Sequence, residues 1–309
     1  MKSQAVLKNV SFSLRDQRIT GFLGVNGAGK TTLIHSMVGL RKPTQGEVLI
    51  GGQSVQLKEA RKGLGYLPER PYFPEHLTAE AFLKYLGTLS DLSRAEIAKN
   101  TDLVLDRVGI LHAKRRELRE FSKGMLQRLG LAQAILHDPR VLILDEPMSG
   151  LDPIGRKEVR ELILELGRSG HLVFFSSHVI SDVEAICDDV ICIHEGQIVR
   201  SGVLSEFFSQ DESHESRRTE IAFQGLTEAM IQSFSRAAEI KSVTPIAEGF
   251  RLEVNSQNLV ETLVVEALQK GARLLWVTPN RPSLEKWFSE NLKKAPEKSG
   301  NTQVGSIQS

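Results

Sequence analysis

The sequence lacks any long hydrophobic run, and this absence excludes a helix that crosses a bilayer. A membrane-spanning helix needs about 20 consecutive apolar residues, whereas the richest stretches here, residues 141–144 and 172–175, have only the length of buried strands. Residues 1–12 contain no continuous apolar segment of the kind that a secretory signal carries. We therefore expect neither a membrane span nor a secretory signal in this sequence.

The chain is also poor in cysteine, and no sign of charge dominates. Its two cysteines, Cys187 and Cys192, are spaced unlike any zinc or redox motif, which predicts small core residues in a reducing compartment. Lys and Arg total 39 against 38 Asp and Glu, a formal net charge of +1. A chain that grips nucleic acid by its phosphates usually has a large basic excess, so this balance argues against that class.

Alternating strands and helices organise the first two thirds of the chain. At about 150 residues per domain, 309 residues correspond to two domains. Strands that alternate with helices form a mainly parallel sheet covered on both faces, so we predict an α/β fold. Residues 78–137 show helical patterns, with a capping-box spacing between Ser93 and Glu96. Strands are predicted at 7–14, 19–25, 47–50, 141–145, 172–177 and 189–194, and helices at 31–40, 154–168 and 179–187.

A second, smaller domain is predicted after a polar linker at residues 209–218. The elements that follow have the order β-α-β-β-α-β, which is typical of a ferredoxin-like α+β domain and fills residues 219–294 with one further helix. The tail at residues 295–309 is rich in Ser, Gly, Gln and Asn, a composition that predicts disorder. This second domain carries no motif of known chemistry.

A glycine-rich segment after the second predicted strand fits the pattern G-x-x-x-x-G-K-[ST]. In a strand–loop–helix context this pattern is a P-loop, whose backbone N–H groups and helix N-terminus bind phosphate. Lys30 would neutralise β- and γ-phosphate oxygens, and Thr31 would bind Mg²⁺. The predicted nucleotide-binding residues here are Gly24, Val25, Asn26, Gly27, Ala28, Gly29, Lys30, Thr31 and Thr32.

Two acidic residues follow the apolar run at residues 141–144. Ligands of parallel sheets bind at the carboxyl ends of the strands, so Asp145 would lie beside the phosphates and hold Mg²⁺ through water. Glu146 would orient or deprotonate the attacking water. Taken alone, the same residues could simply end a strand in a solvated turn.

Ser122 and Gly124 lie just before a predicted helix, where Ser122 is also a good N-cap. Together with the P-loop and the acid pair, this segment resembles the signature motif of the ABC ATPase cassette, commonly Leu-Ser-Gly-Gly-Gln. In that family the motif binds the γ-phosphate of ATP held by the opposite cassette. Phe121, Lys123 and Met125 depart from the common motif, whereas the serine and the second glycine match it.

Three further segments resemble loops of the same family. Residues 149–152 resemble the D-loop, which crosses the dimer interface, and are also suited to an N-cap before Pro153. His178 matches the switch histidine that contacts the γ-phosphate. Glu69 stands where the family has the glutamine of its Q-loop; a carboxylate can bind the metal there but cannot donate to the γ-phosphate. The Glu form and the Ser-x-Gly-Met signature resemble the drug-exporter-like branch.

The resemblance covers residues 5 to about 205 and implies a P-loop NTPase fold: an ABC cassette over residues 1–208 with a mainly parallel sheet core, antiparallel strands and a helical subdomain at 78–137. It also implies an ATP hydrolase that uses ATP and Mg²⁺ and works with a second cassette, a homodimer or a paralogue. Its other partners would be ABC-2 type membrane permease subunits, which the helical subdomain would press on. The subunit would be cytoplasmic, on the inner face of the cell membrane, and would energise export.

Two other classes stay open as hypotheses. A soluble ABC ATPase acting on ribosomes or DNA usually has tandem cassettes or a long coiled-coil insert, and neither pattern occurs here. A GTPase-like switch protein would read guanine with an Asn-Lys-x-Asp motif, and the chain contains no Asn-Lys pair. The transporter hypothesis is the leading one.

The family's usual adenine-stacking aromatic is not found in this sequence. Counting about 25 residues back from Lys30 reaches Ala5, and Phe12 and Phe22 are both predicted to lie in the core. Either the true start lies upstream or another residue covers the base. A stacked base is worth about 1–3 kcal/mol, so we expect this chain to bind ATP more weakly than an extended one and to discriminate poorly between ATP and GTP.

Overall fold

A computed structural model describes residues 5–209, 219–236, 239–255, 257–279, 284 and 287–288. These residues fall into two compact units, one that runs to Leu204 and one that begins at Ser205. The strands of the first unit are β1 Ile19–Leu23, β2 Leu49–Ile50, β3 Gln53–Ser54, β4 Leu64–Leu67, β5 Val141–Leu144, β6 Leu172–Ser177, β7 Asp189–His194 and β8 Gln197–Val203. Its helices are α1 Lys30–Met37, α2 Lys58–Arg61, α3 Ala79–Leu89, α4 Arg94–Arg107, α5 Lys123–Ile135, α6 Pro153–Arg168 and α7 Ile180–Ile186.

The central sheet has the strand order β4-β5-β6-β1-β7-β8, and only β8 pairs in the antiparallel sense. Strands β5 and β6 are buried along their whole length, as expected of central parallel strands. Leu144 pairs with Phe175, and Leu23 pairs with Ser177. The loops that follow β5, β6 and β1 therefore begin at one edge of the sheet, which is where the predicted site residues lie.

Aromatic side chains fill the core beneath this edge. Phe22 and Phe174 are fully buried with ring centroids 5.3 Å apart, and Phe12 stacks on Phe174 at 6.1 Å. Both predictions for the upstream aromatics are confirmed, because Phe12 and Phe22 are packing residues. Cys192 is buried and Cys187 is half-buried; burial raises the pKa of the Cys192 thiol to about 12 and raises that of Cys187 as well.

The prediction of a strand at residues 7–14 is wrong. Its alternating apolar residues Leu7, Val10 and Phe12 do pack against the core, but the segment joins no ladder. The alternation indicates burial, and strand pairing needs a neighbour with unpaired backbone groups. Strand β8 was missed, although Glu195 and Gly196 both have positive φ (46° and 77°) and form a two-residue hairpin turn before it.

The predicted helical region contains α3, α4 and α5. The Ser93 Oγ accepts from the Glu96 N–H at 3.3 Å, and the Glu96 carboxylate accepts from the Ser93 N–H at 2.8 Å, which confirms the capping box. Helices α3 and α4 pack closely because Gly87 leaves room for Ile97; a β-carbon at position 87 would lie 2.7 Å from Ile97. This region is a compact helical layer beside the sheet.

The second unit contains α8 Leu204–Ser209, which begins at the boundary, and then β9 Thr219–Gln224, α9 Glu228–Arg236, β10 Ile240–Ile246, β11 Gly249–Val254, α10 Gln257–Gln269 and β12 Arg273–Pro279. Its sheet has the order β10-β11-β9-β12 with every pair antiparallel, which is the ferredoxin-like arrangement that the element order predicts.

The fold prediction is thus confirmed for both units. Of the predicted linker, Ser209 ends α8 and the remainder lies outside the described residues, as do the tail and most of the last predicted helix. The domain boundaries stay a prediction. Among the helices that the structure describes, none has the length and apolar character needed to cross a bilayer.

Candidate nucleotide-binding site

The predicted P-loop connects the end of β1 to the start of α1. Gly27 and Gly29 have φ values of 81° and 108°, in the left-handed region that favours glycine. A β-carbon at Gly27 would meet nothing within 4 Å, so the backbone conformation alone calls for glycine there. Gly29 is the N-cap of α1, and no side chain caps that helix. The first N–H groups of α1 are therefore presented at the loop, as an anion site requires.

The Lys30 side chain curls back over this loop. Its Nζ donates to the Gly24 carbonyl at 2.6 Å and lies 3.2 Å from Glu146 Oε1. Both side chains are almost fully buried, at 7% and 11% exposed. Lys30 of the P-loop and Glu146, the second acid after β5, thus form an ion pair at the surface that would bind phosphate.

Asp145 lies under this pair and is fully buried. Its Oδ1 accepts from the Ser176 hydroxyl at 2.6 Å, while its Oδ2 is buried and has no hydrogen-bond partner among the residues that the structure describes. Burial raises the pKa of the Asp145 carboxyl, the neighbouring hydroxyls of Ser176 and Thr31 oppose that rise, and the charges of Glu69 and Glu146 add to it. The structure therefore brings the two proposed metal-binding acids and Thr31 to one place.

Glu146 has a backbone conformation that is unusual for its residue type. Its φ is 50°, and it precedes Pro147, which disfavours helical conformations in the residue before it. The Glu146 N–H donates to the Ser176 Oγ at 2.8 Å, and its Oε2 lies 2.9 Å from the Nδ1 of His178. The carboxylate is thus held from two sides, by Lys30 and by the half-exposed His178.

The oxygen atoms around Asp145 suit a magnesium ion. Mg²⁺ prefers carboxylate and hydroxyl oxygens together with water and phosphate. Thr31 supplies a hydroxyl, Asp145 an orphaned carboxylate oxygen and Glu69 a half-exposed carboxylate whose charge acts on Asp145. The Tyr66 hydroxyl is also buried without a partner, and burial with the Asp145 charge raises its pKa to about 12. The residues present fit the metal that the sequence predicts.

Ser122 and Gly124 occupy a different part of the surface. Ser122 caps α5, with its Oγ accepting from the Met125 N–H at 3.2 Å, and its side chain is exposed. A β-carbon at Gly124 would meet only Leu151 at 3.5 Å and Ser122 at 3.9 Å, which are ordinary contacts. None of these contacts involves the P-loop or the acid pair, so the structure does not join Ser122 and Gly124 to the rest of the site within one chain.

A cavity of about 110 Å³ opens beside Glu146 and His178. Asp182, which is 2% exposed, forms its far side and binds Arg156 at 2.5 Å and Arg160 at 3.6 Å. Asp182 lies on α7, which follows His178, and both arginines lie on α6, which follows residues 149–152. The two ion pairs therefore connect α6 with α7. Other residues that line the cavity are Pro147, Met148, Ser149, Gly150, Ser176, Ser177 and Val179.

Comparison with known proteins identifies the family. The model of the ABC transporter family matches residues 7–149. An ABC transporter ATP-binding protein of Synechocystis is 38% identical over 290 residues, which cover 93% of this chain and 78% of that protein. The chain belongs to the ABC transporter family. This family member is an ATP-hydrolysing, ATP-binding protein, as its sequence predicts.

Two further similarities extend that result. The linearmycin resistance ATP-binding protein LnrL of Bacillus subtilis is 28% identical over 290 residues, 92% of this ABC protein and 93% of that relative. A solved structure of an ATP binding subunit of an ABC transporter is 30% identical, with a TM-score of 0.63, and covers 68% of this chain and 88% of that one. The first alignment includes the second unit, and the structural match confirms the cassette fold.

Sequence reasoning did not name Ser176 as a site residue of this ABC protein, although it contacts both acids. A signal was present: Ser176 lies near the end of the buried strand β6, the neighbour of β5 in the sheet. With Phe175 opposite Leu144, the next residues along the two strands are Ser176 and Asp145. Recognising the contact requires knowing which strands pair, and no local pattern states that.

Proposed function

We propose that this protein uses the hydrolysis of MgATP to drive a separate ABC-2 type permease in the direction of export. The observation that carries the proposal is the connected set formed by Lys30, Glu146 and His178 above Asp145, at the edge of the sheet where the P-loop begins. Phosphoryl transfer to water requires a cation that binds phosphate, an acid that binds the metal and a correctly oriented base. Lys30, Asp145 and Glu146 match these three requirements.

Each residue then has a defined task. Lys30 and the first N–H groups of α1 hold the β- and γ-phosphates, and Lys30 exchanges its ion pair with Glu146 for phosphate oxygens. Asp145 and Thr31, with Glu69 nearby, hold Mg²⁺, which offsets phosphate charge when bound. Glu146, no longer paired with Lys30, orients the attacking water and accepts its proton. His178 keeps the Glu146 carboxylate aimed through its 2.9 Å contact.

A second cassette would complete the site. Ser122 is exposed, Gly124 has space over it, and neither contacts the P-loop of its own chain. We infer that they bind the γ-phosphate held by a partner cassette, either a second copy or a paralogue. The hydroxyl of Ser122 and the N-terminus of α5 supply donors for that phosphate.

The permease and the export direction are supported by similarity. One relative that aligns with both units is named for linearmycin resistance, and Glu69 with the Ser-x-Gly-Met segment resembles the drug-exporter-like branch. The subunit would be held at the inner face of the cell membrane through the permease. Purification of the tagged protein from a detergent extract should yield a six-helix membrane protein in stoichiometric amount; ribosomal subunits or DNA in its place would support the alternative function.

Replacing Glu146 by Gln tests the hydrolytic assignment. The amide cannot accept a proton, so we expect kcat to fall at least about 100-fold while ATP binding persists, and MgATP to trap a dimer on gel filtration. Glu161→Gln is the matched control, since the contact that Glu161 makes among the described residues is an exposed ion pair with Lys157. Hydrolysis by Glu146→Gln near the original rate would show that another residue is the base.

A further inference from the structure

Ser176 stands between the two acids of the site. It is fully buried at the end of β6, and its single hydroxyl makes two hydrogen bonds. The Oγ donates to Asp145 Oδ1 at 2.6 Å and accepts from the Glu146 N–H at 2.8 Å. A serine hydroxyl has one proton, so the bond to Asp145 uses the donor and leaves the lone pairs for the Glu146 amide.

The first bond decides how the Asp145 carboxylate is oriented. Its Oδ1 is occupied by the serine, and its Oδ2 is the buried oxygen that has no partner. Rotation of the carboxylate about its Cβ–Cγ bond, out of its present plane, would break the contact between Oδ1 and Ser176. The serine therefore fixes the plane of the carboxylate, and with it the direction in which the free oxygen faces a metal ion, in the way that residues behind metal ligands orient them.

The second bond holds a strained backbone. A non-glycine residue in the left-handed region costs about 1–3 kcal/mol and persists only where its surroundings hold it. At Glu146, with φ of 50°, the amide is held by Ser176 and the carbonyl accepts from the Ser149 N–H at 3.0 Å. This backbone conformation directs the Glu146 side chain toward Lys30 and His178.

We propose that Ser176 is a positioning residue for ATP hydrolysis, orienting Asp145 for the metal and holding the Glu146 backbone in the conformation that aims the base. This inference rests on the proposed function. Ser176 touches neither substrate nor water in this role; it acts through the two acids.

The neighbouring Ser177 offers a matched control. It is also buried, at 4% exposed, but its Oγ donates to the Val179 carbonyl at 3.3 Å and accepts from the Val179 N–H at 3.0 Å. These bonds close a local turn and reach neither acid. Removal of either hydroxyl leaves a buried cavity of the same size. The two alanine variants therefore differ mainly in the hydrogen bonds that are lost: those to the two acids in Ser176→Ala, and those to the Val179 backbone in Ser177→Ala.

The experiment compares the full-length protein with Ser176→Ala, Ser176→Cys and Ser177→Ala. Mn²⁺ binding in the presence of ADP is followed by electron paramagnetic resonance, which needs no turnover, and kcat and KM are measured separately. Loss of a group that orients a metal ligand typically costs about 10- to 100-fold in affinity or activity. We expect Ser176→Ala to weaken Mn²⁺ binding and to lower kcat in that range with little change in KM for ATP, and Ser177→Ala to keep wild-type Mn²⁺ affinity.

The outcomes separate this inference from the proposed function. If folded Ser176→Ala keeps the wild-type Mn²⁺ affinity and kcat while Glu146→Gln is inactive, the positioning role of Ser176 is overturned and the proposed function is not. Equal losses in Ser176→Ala and Ser177→Ala would assign the effect to packing and would also overturn it. If Ser176→Ala does not fold, Ser176→Cys decides: it keeps the volume but offers only a weak donor, so unchanged Mn²⁺ affinity in that variant contradicts the proposal.

Discussion

The ion pair between Lys30 and Glu146 shows how single residues in this site depend on one another. Both side chains are nearly buried, and each has other contacts that define its direction: Lys30 with the Gly24 carbonyl, Glu146 with His178. A buried charge without a partner is costly, so the pair is stable until another anion, the phosphate, takes the place of the carboxylate. The same two residues therefore serve the fold and the chemistry.

Lys30→Ala is expected to abolish nucleotide binding in the isolated chain, with Kd for ATP raised at least about 100-fold, because the loop loses its lysine, a charge-assisted donor to the phosphates. Equilibrium binding of a fluorescent ATP analogue measures this. Lys157→Ala, which removes an exposed lysine whose partner in the described part of the chain is Glu161, should bind the analogue normally. Normal binding by Lys30→Ala would remove Lys30 from the phosphate site.

At the scale of elements, the start of α5 is a surface prepared for another molecule. Gly124→Ala adds a methyl group that meets only Leu151 and Ser122 at ordinary distances, so the folded chain should be as stable as before or up to about 1 kcal/mol more stable. We expect ATPase activity to fall at least about 10-fold nonetheless, since the methyl group intrudes where a partner's phosphate binds. Thermal melting and steady-state turnover measure the two effects; an active Gly124→Ala would mean that this surface meets no phosphate.

Complementation examines the same surface in two chains. Ser122→Arg should bind ATP as a monomer but fail to close a dimer, and Lys30→Ala should lack binding. A mixture of the two variants contains dimers in which one composite site keeps both residues, so its activity should exceed the sum of the separate activities. Loss of monomer ATP binding in Ser122→Arg would show that Ser122 acts within its own chain.

The connection between α6 and α7 depends on one buried acid. Asp182→Asn leaves Arg156 and Arg160 without their charged partner. Breaking a buried pair costs about 3–5 kcal/mol, and we expect somewhat less here because the two arginines are about one third exposed. Urea unfolding measures the change in the free energy of unfolding; Glu161→Gln on the exposed side of α6 should alter it by less than about 0.5 kcal/mol, and an equally small change in Asp182→Asn would contradict the prediction.

At the scale of the whole molecule, the two units suggest where the chain can be divided. Leu204 still donates to the Asp188 carbonyl at 2.9 Å, whereas Phe207 is buried in an edge-on contact with Trp287 within the second unit. A fragment that ends at Leu204 keeps β8 on the sheet and exposes no aromatic of α8. We expect this fragment to fold and bind ATP with the Kd of the full chain.

A second fragment that ends at residue 210 serves as the comparison. It retains Phe207 without Trp287, so it should bind ATP as well but aggregate more readily in light scattering. If the fragment that ends at Leu204 is insoluble or does not bind ATP, the two units share a core and the predicted division at residues 209–218 is misplaced.

The local sequence determined those features of this protein that depend on contacts between residues close together in the chain. The P-loop glycines at positive φ, the Ser93–Glu96 capping box and the Ser122 N-cap each involve residues within about four positions of one another, so composition and spacing predict them. The β-α-β-β-α-β order predicts the second unit for the same reason, since hairpins and short crossovers limit how its strands can pair.

Tertiary structure alone decided which distant groups meet. Residues 7–14 carry the alternation of a strand yet join no sheet, because a ladder needs a free neighbouring edge as well as a pattern. Ser176 reaches Asp145 across 31 positions only because β5 and β6 are neighbours in register. Strand order and register arise from the packing of the whole sheet, and they bring Ser176, to which the sequence assigned no role at the site, into contact with both acids.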